Sequence, residues 1–540
     1  MEPRIGVFIC DCGGSIKNID FSLAKKKVAK ITNVAYVDLS PDLCLKEGKE
    51  KVSSSLRAKN IDRVVIAACS PESKKHVFQQ VLESAGLNGH LLSVINIREQ
   101  CSWAHEGDVT EKALHMIQMG VNRARSLKPI EKKEITVNKD VLVVGGGFSG
   151  MSSAIQLARL GLRTILLERE SALGGRNRDL EDLYGLKTSS LIEEIEGDKN
   201  IEVLTSSEVV KVEGKVGDFA VMIRKGTEDL SLVFGGIVFA TGYETGGDSQ
   251  LKPSAQITSP NGLAHMLQAS NLAGKPRTVG FVFDSSDENS RLPAMSTLNS
   301  ALAAKQKWGS EVYVFCKNVK VDGEGLESLY REARECGVVF VKFEEKPIIR
   351  AHNGRAEIEA KDVLLGENTI LNCDLLVAEE RFSPSHGTGT LSSLLNVRTD
   401  SRGFYQDENV HLYPVASERK GIFFVGDCRG DSGPGRVLTD VSSVVTSIYE
   451  LLGPGKIVVE RDRVKVNPEK CRTCLTCLRA CPHSAVGLTR IDNGREVAEI
   501  WDLACDACGI CTALCPAKAI EFEGYSDQQI LAQIEAIGVS

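Results

Sequence analysis

The sequence predicts a multidomain α/β chain that ends in a small α+β module. Three observations carry that expectation. Short β-branched runs alternate with helical patterns from the N-terminus to about residue 455, the signature of strands joined by crossover helices. A glycine-rich turn, G-x-G-x-x-G at Gly145, Gly147 and Gly150, separates one such strand from its helix. The 17 cysteines crowd the two ends: five precede residue 102, eight fall between Cys471 and Cys515, and Cys316, Cys336, Cys373 and Cys428 are scattered between.

Composition narrows the classes. A chain of 540 residues can hold several separate cores. With 42% apolar and 25% charged residues it reads as an ordinary globular protein. A formal net charge of −7 excludes a basic surface made for nucleic acid or anionic lipid. Residues 1–10 show no charged-then-apolar leader, and no apolar run approaches a bilayer span. The expected location is the cytoplasm, where disulfide frameworks are uncommon. Metal or redox chemistry is therefore expected of the cysteines.

Residues 1–128 are expected to form an N-terminal, cysteine-rich, parallel-sheet α/β domain. RIGVFIC, VAYVDLS, RVVIAACS and LLSVINIREQC read as strands, and helical patterns cover 21–30, 45–58, 73–85 and 109–123. Each strand leads into cysteine: Cys10 and Cys12, Cys44, Cys69, Cys101. Crossover helices bring all strand C-termini to one edge of a parallel sheet, where sites in such sheets form. The expectation is an iron–sulfur cluster held by four of these five, with the odd one left open. A zinc site, a redox thiol pair and buried thiols are the alternatives. His76, His90, His105 and His115 show no ligand spacing with the cysteines.

After a charged linker, RSLKPIEKKEIT, residues 140–170 run strand, glycine turn, helix, strand. Gly145 permits the tight turn, Gly147 lets backbone approach a pyrophosphate, and Gly150 lets helix pack on strand. Glu168 ends the second strand, where a carboxylate can accept from a ribose, and Arg169 follows it. Three later segments resemble those of flavoproteins with two dinucleotide folds: LGGR with Gly175 and Arg176, FATGY with Thr241 and Gly242, and GIFFVGDCRG with Gly426 and Asp427. That resemblance implies FAD, with Asp427 on the ribityl chain and Val209 presenting backbone to the adenine. The expected FAD-binding domain covers 138–275 and 370–455. Residues 276–369 are expected to form a second dinucleotide-like domain whose first strand leads into Asp and Ser instead of a glycine motif. It lacks the backbone cradle for a second pyrophosphate.

The break LGPGK around Gly453 precedes a module at 460–524 and a terminal helix at 525–540. CRTCLTCLRACP and CDACGICTALCP each read C-x2-C-x2-C-x3-C-P. In bacterial-type two-cluster ferredoxins the fourth cysteine of each run ligates the other cluster. Cys471, Cys474, Cys477 and Cys515 are thus expected to hold one [4Fe–4S] cluster, and Cys505, Cys508, Cys511 and Cys481 the second. Zinc knuckles are the competing reading.

With these parts in this order, IGVFICDCGG, RVVIAACSPES and especially NIREQCSW (96–103) resemble the N-terminal domain of the heterodisulfide reductase A subunit. The resemblance runs from about residue 4 to 516. It implies an electron carrier with FAD and several [4Fe–4S] clusters, one of them N-terminal, that works among other redox subunits. Some members perform flavin-based electron bifurcation, and a homodimer within a larger assembly is one arrangement the resemblance allows. Two departures stand out. MIRKGTEDLSLVFGGIVFATG contains no cysteine where full-length members often carry a further ferredoxin module, and FVFDSSDENSRLPAMS has none where members often have a cysteine-rich stretch. Both reduce the number of electron exits. Cys428, inside the GD segment, matches a cysteine often seen there. Its readings are a place near the flavin, a share in the N-terminal cluster, or a small buried side chain.

Two other functions compete. A self-sufficient NAD(P)H-dependent reductase predicts a second G-x-G-x-x-G or a C-x-x-C beside the flavin, and the sequence has neither. A thiol redox sensor or scaffold would use the N-terminal cysteines as exposed, acidic thiols. No Ser–His–Asp or paired-carboxylate pattern names a catalytic acid or base.

Overall fold

The computed structural model describes residues 2–176, 187–247, 254–268, 274–283, 291–321, 323, 325–352, 354–430, 433–459 and 464–537. The stretch 284–290, where the second domain's first strand was expected to lead into Asp and Ser, lies outside these, as does the end of the expected terminal helix at 538–540. The chain forms two compact units: Met1–Glu134 with Val458–Cys481 and Ala485–Ser540, and Ile135–Ile457 with Pro482–Ser484. No helix among the described residues is long and apolar enough to cross a membrane.

In the first unit, β1 (Ile5–Cys10), β2 (Val34–Ser40), β3 (Arg63–Ala68) and β4 (Leu92–Asn96) make a parallel sheet in the order β2-β1-β3-β4. The helices α1 (Phe21–Val28), α2 (Lys46–Ala58), α3 (Pro71–Ser84) and α4 (Thr110–Arg125) cover its two faces. Every residue of β1 is buried, as a strand flanked by helices on both sides requires. Ile5, Val7 and Ile9 pack with Ala24 and Val28 of α1 and Ala113, Ile117 and Val121 of α4. Phe8 and Cys10 point the other way, against Val52 and Leu56 of α2 and Phe78 and Leu82 of α3. Each such Ile, Leu, Val or Phe contributes about 1.5–3 kcal/mol relative to exposure, so the sheet has two apolar faces of its own. The Asp20 side chain starts α1 by accepting from the Leu23 amide, and Pro71 opens α3. The expected fourth strand is shorter than its sequence pattern: it stops at Asn96, and residues 98–102 wind into one wide turn closed by Ser102 N to Ile97 O and Trp103 N to Arg98 O.

The C-terminal part of this unit pairs Val464–Val466 with Ile520–Phe522 and Val486–Arg490 with Glu496–Ile500, both antiparallel. Two short helices, Thr476–Ala480 and Ile510–Leu514, follow the cysteine loops. The C-terminal helix Asp527–Glu535 starts with a capping box between Ser526 and Gln529 and docks on α4. Asn122 donates to the Ala532 carbonyl, Arg123 to that of Gly524, and Gln529 to that of Ser126. The Arg123 guanidinium also lies 4.5 Å from the Tyr525 ring centre.

The second unit holds two parallel sheets. The first orders Ile422–Phe424, Gly236–Phe239, Val141–Val144, Thr164–Leu167 and Ile201–Leu204 side by side, with a three-stranded antiparallel sheet (Ser207–Lys215, Asp218–Lys225, Glu228–Phe234) appended. The other orders Ile257–Thr258, Leu375–Ala378, Thr278–Phe283, Glu311–Cys316 and Val339–Lys342. Tyr243–Gly247 and Glu380–Pro384 pair antiparallel as a separate two-stranded ribbon. Ile257–Thr258 and Leu375–Ala378, expected within the FAD-binding domain, thus belong to the second sheet. Short apolar runs reveal a strand but not the sheet it joins.

Candidate functional site: one cleft and three cysteine groups

A cleft of about 730 Å³ opens at the C-terminal ends of the first parallel sheet in the second unit, within the roughly 300–1,000 Å³ usual for small-molecule sites. The glycine turn builds its floor. Gly145 has φ +113°, and a Cβ there would meet the Ala240 carbonyl oxygen at 2.3 Å. A Cβ on Gly150 would meet the Gly145 carbonyl oxygen at 1.8 Å, so the helix Phe148–Arg159 can lie this close only without it. Gly147 is different: a Cβ there meets nothing within 4 Å, because it faces the open cleft. Gly147 caps the helix with no side-chain hydrogen bond, leaving first-turn amides and the positive dipole end for an anion.

The other expected residues surround this turn. Glu168 Oε2 accepts from the Gly146 amide at 2.6 Å and Oε1 from the Glu170 amide at 2.8 Å, which leaves lone pairs on both oxygens for a hydroxyl. Gly174 N bonds Gly146 O at 2.9 Å, bringing Gly175 against Gly147. Arg176 donates to the Tyr243 carbonyl and the Thr245 hydroxyl, and Arg169 to the His386 carbonyl. Val209, Thr241, Gly242 and Asp427 also line the cleft. The Thr241 hydroxyl oxygen is buried and has no hydrogen-bond partner among the described residues. Gly426 lies beneath, where a Cβ would meet Ser149 Oγ at 2.3 Å. Sequence reasoning missed the segment 385–391, which contributes His386 and Leu391 to the wall. SPSHGTG reads as an ordinary turn, and nothing in it signals a ligand.

Cys428 sits inside this unit, its thiol donating to the Phe239 and Val425 carbonyls; burial pushes it up to about 12. It is a buried packing residue. Next to it, Arg429 forms a buried ion triad with Asp407 and Asp440, which fixes the turn carrying Asp427.

In the C-terminal module the last cysteine of the second run lies with the first three of the other. Cys471, Cys474 and Cys477 share a cavity of about 20 Å³ with Cys515, walled by Val466, Leu488 and Ile520. Cys511 is pushed up to about 11 by burial and by the charges of Cys505, Cys481 and Cys508. Both loops bend through left-handed backbone at matching positions, Thr473 and Leu475 in one, Ala507 and Gly509 in the other. For the non-glycine residues this costs of order 1–3 kcal/mol each, which a group bound at the centre of the loop would offset. Backbone amides four residues on reach the fourth sulfurs, Ala485 N to Cys481 and Ala519 N to Cys515, both at 3.3 Å.

In the N-terminal domain, Cys10, Cys12, Cys44 and Cys69 stand at or just past the C-terminal ends of β1, β2 and β3, with Cys10, Cys12 and Cys44 in one packed cluster. Consecutive left-handed residues, Cys12, Gly13 and Gly14, fold the loop after β1 back on itself. The Cys12 amide thereby comes 3.4 Å from Cys10 Sγ. The Cys12 thiol lowers Cys10 to about 7, and Cys12 is raised in turn. Burial raises Cys69; the charge of Arg98 lowers it, and those of Glu99 and Cys44 raise it. Cys101 does not join them, contrary to its inclusion among the candidate ligands. The wide turn at 98–102 points it into the apolar core on the α4 side, with no exposed surface, among Ile97, Val109 and Ala113.

A family model for FAD-dependent oxidoreductases matches residues 140–177, and one for 4Fe–4S dicluster domains matches 463–516. The fold and its sites define a flavin- and iron–sulfur-dependent oxidoreductase. A protein of Archaeoglobus profundus described as like the heterodisulfide reductase A subunit is 27% identical across 99% of this chain and 98% of its own length. The iron–sulfur A subunit of the CoB–CoM heterodisulfide reductase of Methanocaldococcus jannaschii is 26% identical across 99% of each chain. The A subunit of the ferredoxin:CoB–CoM heterodisulfide reductase of Methanosarcina mazei is 26% identical over 99% of this chain and 81% of its own. The chain is thus similar to heterodisulfide reductase A subunits over nearly its full length, and its FAD and 4Fe–4S domains support an electron-transfer role. The A. profundus match spans 691 aligned positions against the 540 residues here, so that relative carries internal segments this chain lacks.

Proposed function

We propose that the chain relays electrons between FAD in the cleft and [4Fe–4S] clusters at the three cysteine groups, within a cytoplasmic, heterodisulfide-reductase-like complex. The observation that carries this reading is one chain holding both a dinucleotide cleft and gathered sets of four thiols. When bound, FAD exchanges electrons in pairs or singly and each cluster takes one, so the flavin is where a pair divides.

The residues present fit these groups. Gly147 and the first-turn amides of Phe148–Arg159 would hold the pyrophosphate, and Glu168 a ribose hydroxyl. Val209 would face the adenine. The unpartnered Thr241 hydroxyl and Asp427 would meet the flavin end of the cofactor. Arg169, Gly175, Arg176 and Gly242 shape the walls, while Gly145, Gly150 and Gly426 permit the close packing beneath. An apolar cavity ringed by thiols, with amides aimed at sulfur, suits an iron–sulfur cluster. Cys471, Cys474, Cys477 and Cys515 would hold one cluster, Cys505, Cys508, Cys511 and Cys481 the second, and Cys10, Cys12, Cys44 and Cys69 the third. The domain limits given above, with the two strands reassigned, are those we propose for these roles. Its partners would be the other redox subunits of such a complex, and a second copy of the chain would pair with it there.

Iron and flavin counts on anaerobically purified protein test this. One FAD and about twelve irons per chain are expected, at four per cluster. About eight irons would remove the N-terminal cluster, and a flavin-free preparation with intact clusters would refute the relay.

A further inference from the structure

The segment 96–103 is the most distinctive in the N-terminal domain, yet its cysteine is the one that lies apart from the other four thiols. What it delivers to the sheet edge is a positive charge. The β4 strand pairs Asn96 with Ala68, and Ile97 N bonds Ala68 O at 2.9 Å, so Arg98 emerges beside Cys69. The wide turn carries Trp103 back over it, with the guanidinium 4.7 Å from the indole ring centre. Trp103 is itself tied to the cysteine loop: its indole N–H donates to the Ser15 carbonyl at 3.0 Å. From the third side, Glu99 Oε1 accepts from Arg98 at 3.1 and 2.6 Å. A long cationic side chain is thus locked between the end of β3 and the loop bearing Cys12, and only a quarter of it is exposed.

We propose that Arg98 is a positioning residue that sets the reduction potential of the N-terminal cluster, an inference that rests on the reading of Cys10, Cys12, Cys44 and Cys69 as its ligands. The β3–β4 pairing and the Trp103–Ser15 tie hold its guanidinium at the rim between Cys69 and the loop that bears Cys12. A cluster gains one electron and no atom on reduction, so a fixed positive charge favours the reduced form and lifts its potential. The Trp103 face and the Glu99 carboxylate keep that charge from swinging into water, where it would be screened. A lysine, compact and unable to stack or fork in the same way, would keep the sign of the charge but hold it less firmly.

The test is a dithionite titration of the whole anaerobic chain, followed by electron paramagnetic resonance. The N-terminal signal is defined as the one that Cys69→Ser removes. In Arg98→Gln that signal's midpoint should fall by about tenfold in the one-electron equilibrium, about 59 mV. Arg98→Lys should fall less, and the signals of the C-terminal module should not move. An unchanged midpoint in Arg98→Gln, or an equal fall in Arg98→Lys, overturns the inference while the cluster reading stands. If Cys69→Ser removes neither a signal nor iron, the cluster reading itself fails and the Arg98 role falls with it.

Discussion

The two ends of the chain gather thiols by opposite means. In the C-terminal module, Cys471, Cys477 and Cys511 are core residues, packed with Val464, Val486, Val497 and Ile520. The thiols share this small cluster with alanines and half-buried side chains such as Val466, Ile500 and Phe522, so whatever they hold is part of what holds the module together. In the N-terminal domain the four thiols sit on the rim of a sheet whose two faces are already filled by α1 and α4 on one side and α2 and α3 on the other. There the scaffold comes first and the site is added to it. A cluster can be a fold's interior or its accessory, and packing distinguishes the two.

Cysteine substitutions should break or sharpen that contrast. The largest effect is expected for Cys511→Ser: the second cluster is lost, at least about four irons per chain, and the module unfolds, becoming sensitive to limited proteolysis. A module that keeps its protease resistance without the iron would erase the distinction. Cys69→Ser should also lose about four irons, yet leave the N-terminal domain folded, with a thermal midpoint close to the parent's. A Cys69→Ser domain that melts would make the two sites alike. The smallest effect belongs to Cys101→Ala, which should leave the iron count untouched and lower stability by about 1 kcal/mol through a small cavity. Urea denaturation reads it as a lower midpoint with unchanged slope; any loss of iron would return Cys101 to the ligand set.

The same contrast explains what was legible in the sequence. The place of Cys515 beside Cys471, Cys474 and Cys477 was legible from spacing, because each run folds as one local loop. The cleft was legible too, since Gly145, Gly147 and Gly150 state a backbone requirement that few other residues meet. The N-terminal group could be anticipated only as far as topology goes: strand ends converge on one edge. Which of five cysteines stays out depends on the turn at 98–102, whose five-residue hydrogen bonds leave no mark in composition. The sheet that Leu375–Ala378 joins and the role of His386 were hidden for a related reason. Both are set by contacts distant in sequence, which no window of neighbouring residues contains.

The docking of the C-terminal helix on α4 has a consequence for how this protein is made. Asn122 and Ala532, which it joins, stand 410 residues apart. The N-terminal domain leaves the ribosome early and can fold at once, since domains tend to do so in order of synthesis. One flank of α4 then stays bare until Asp527–Glu535 emerges, hundreds of residues later. During that interval the half-built molecule is an exposed helix awaiting its partner, and deletion of Asp527–Glu535 would leave it so permanently.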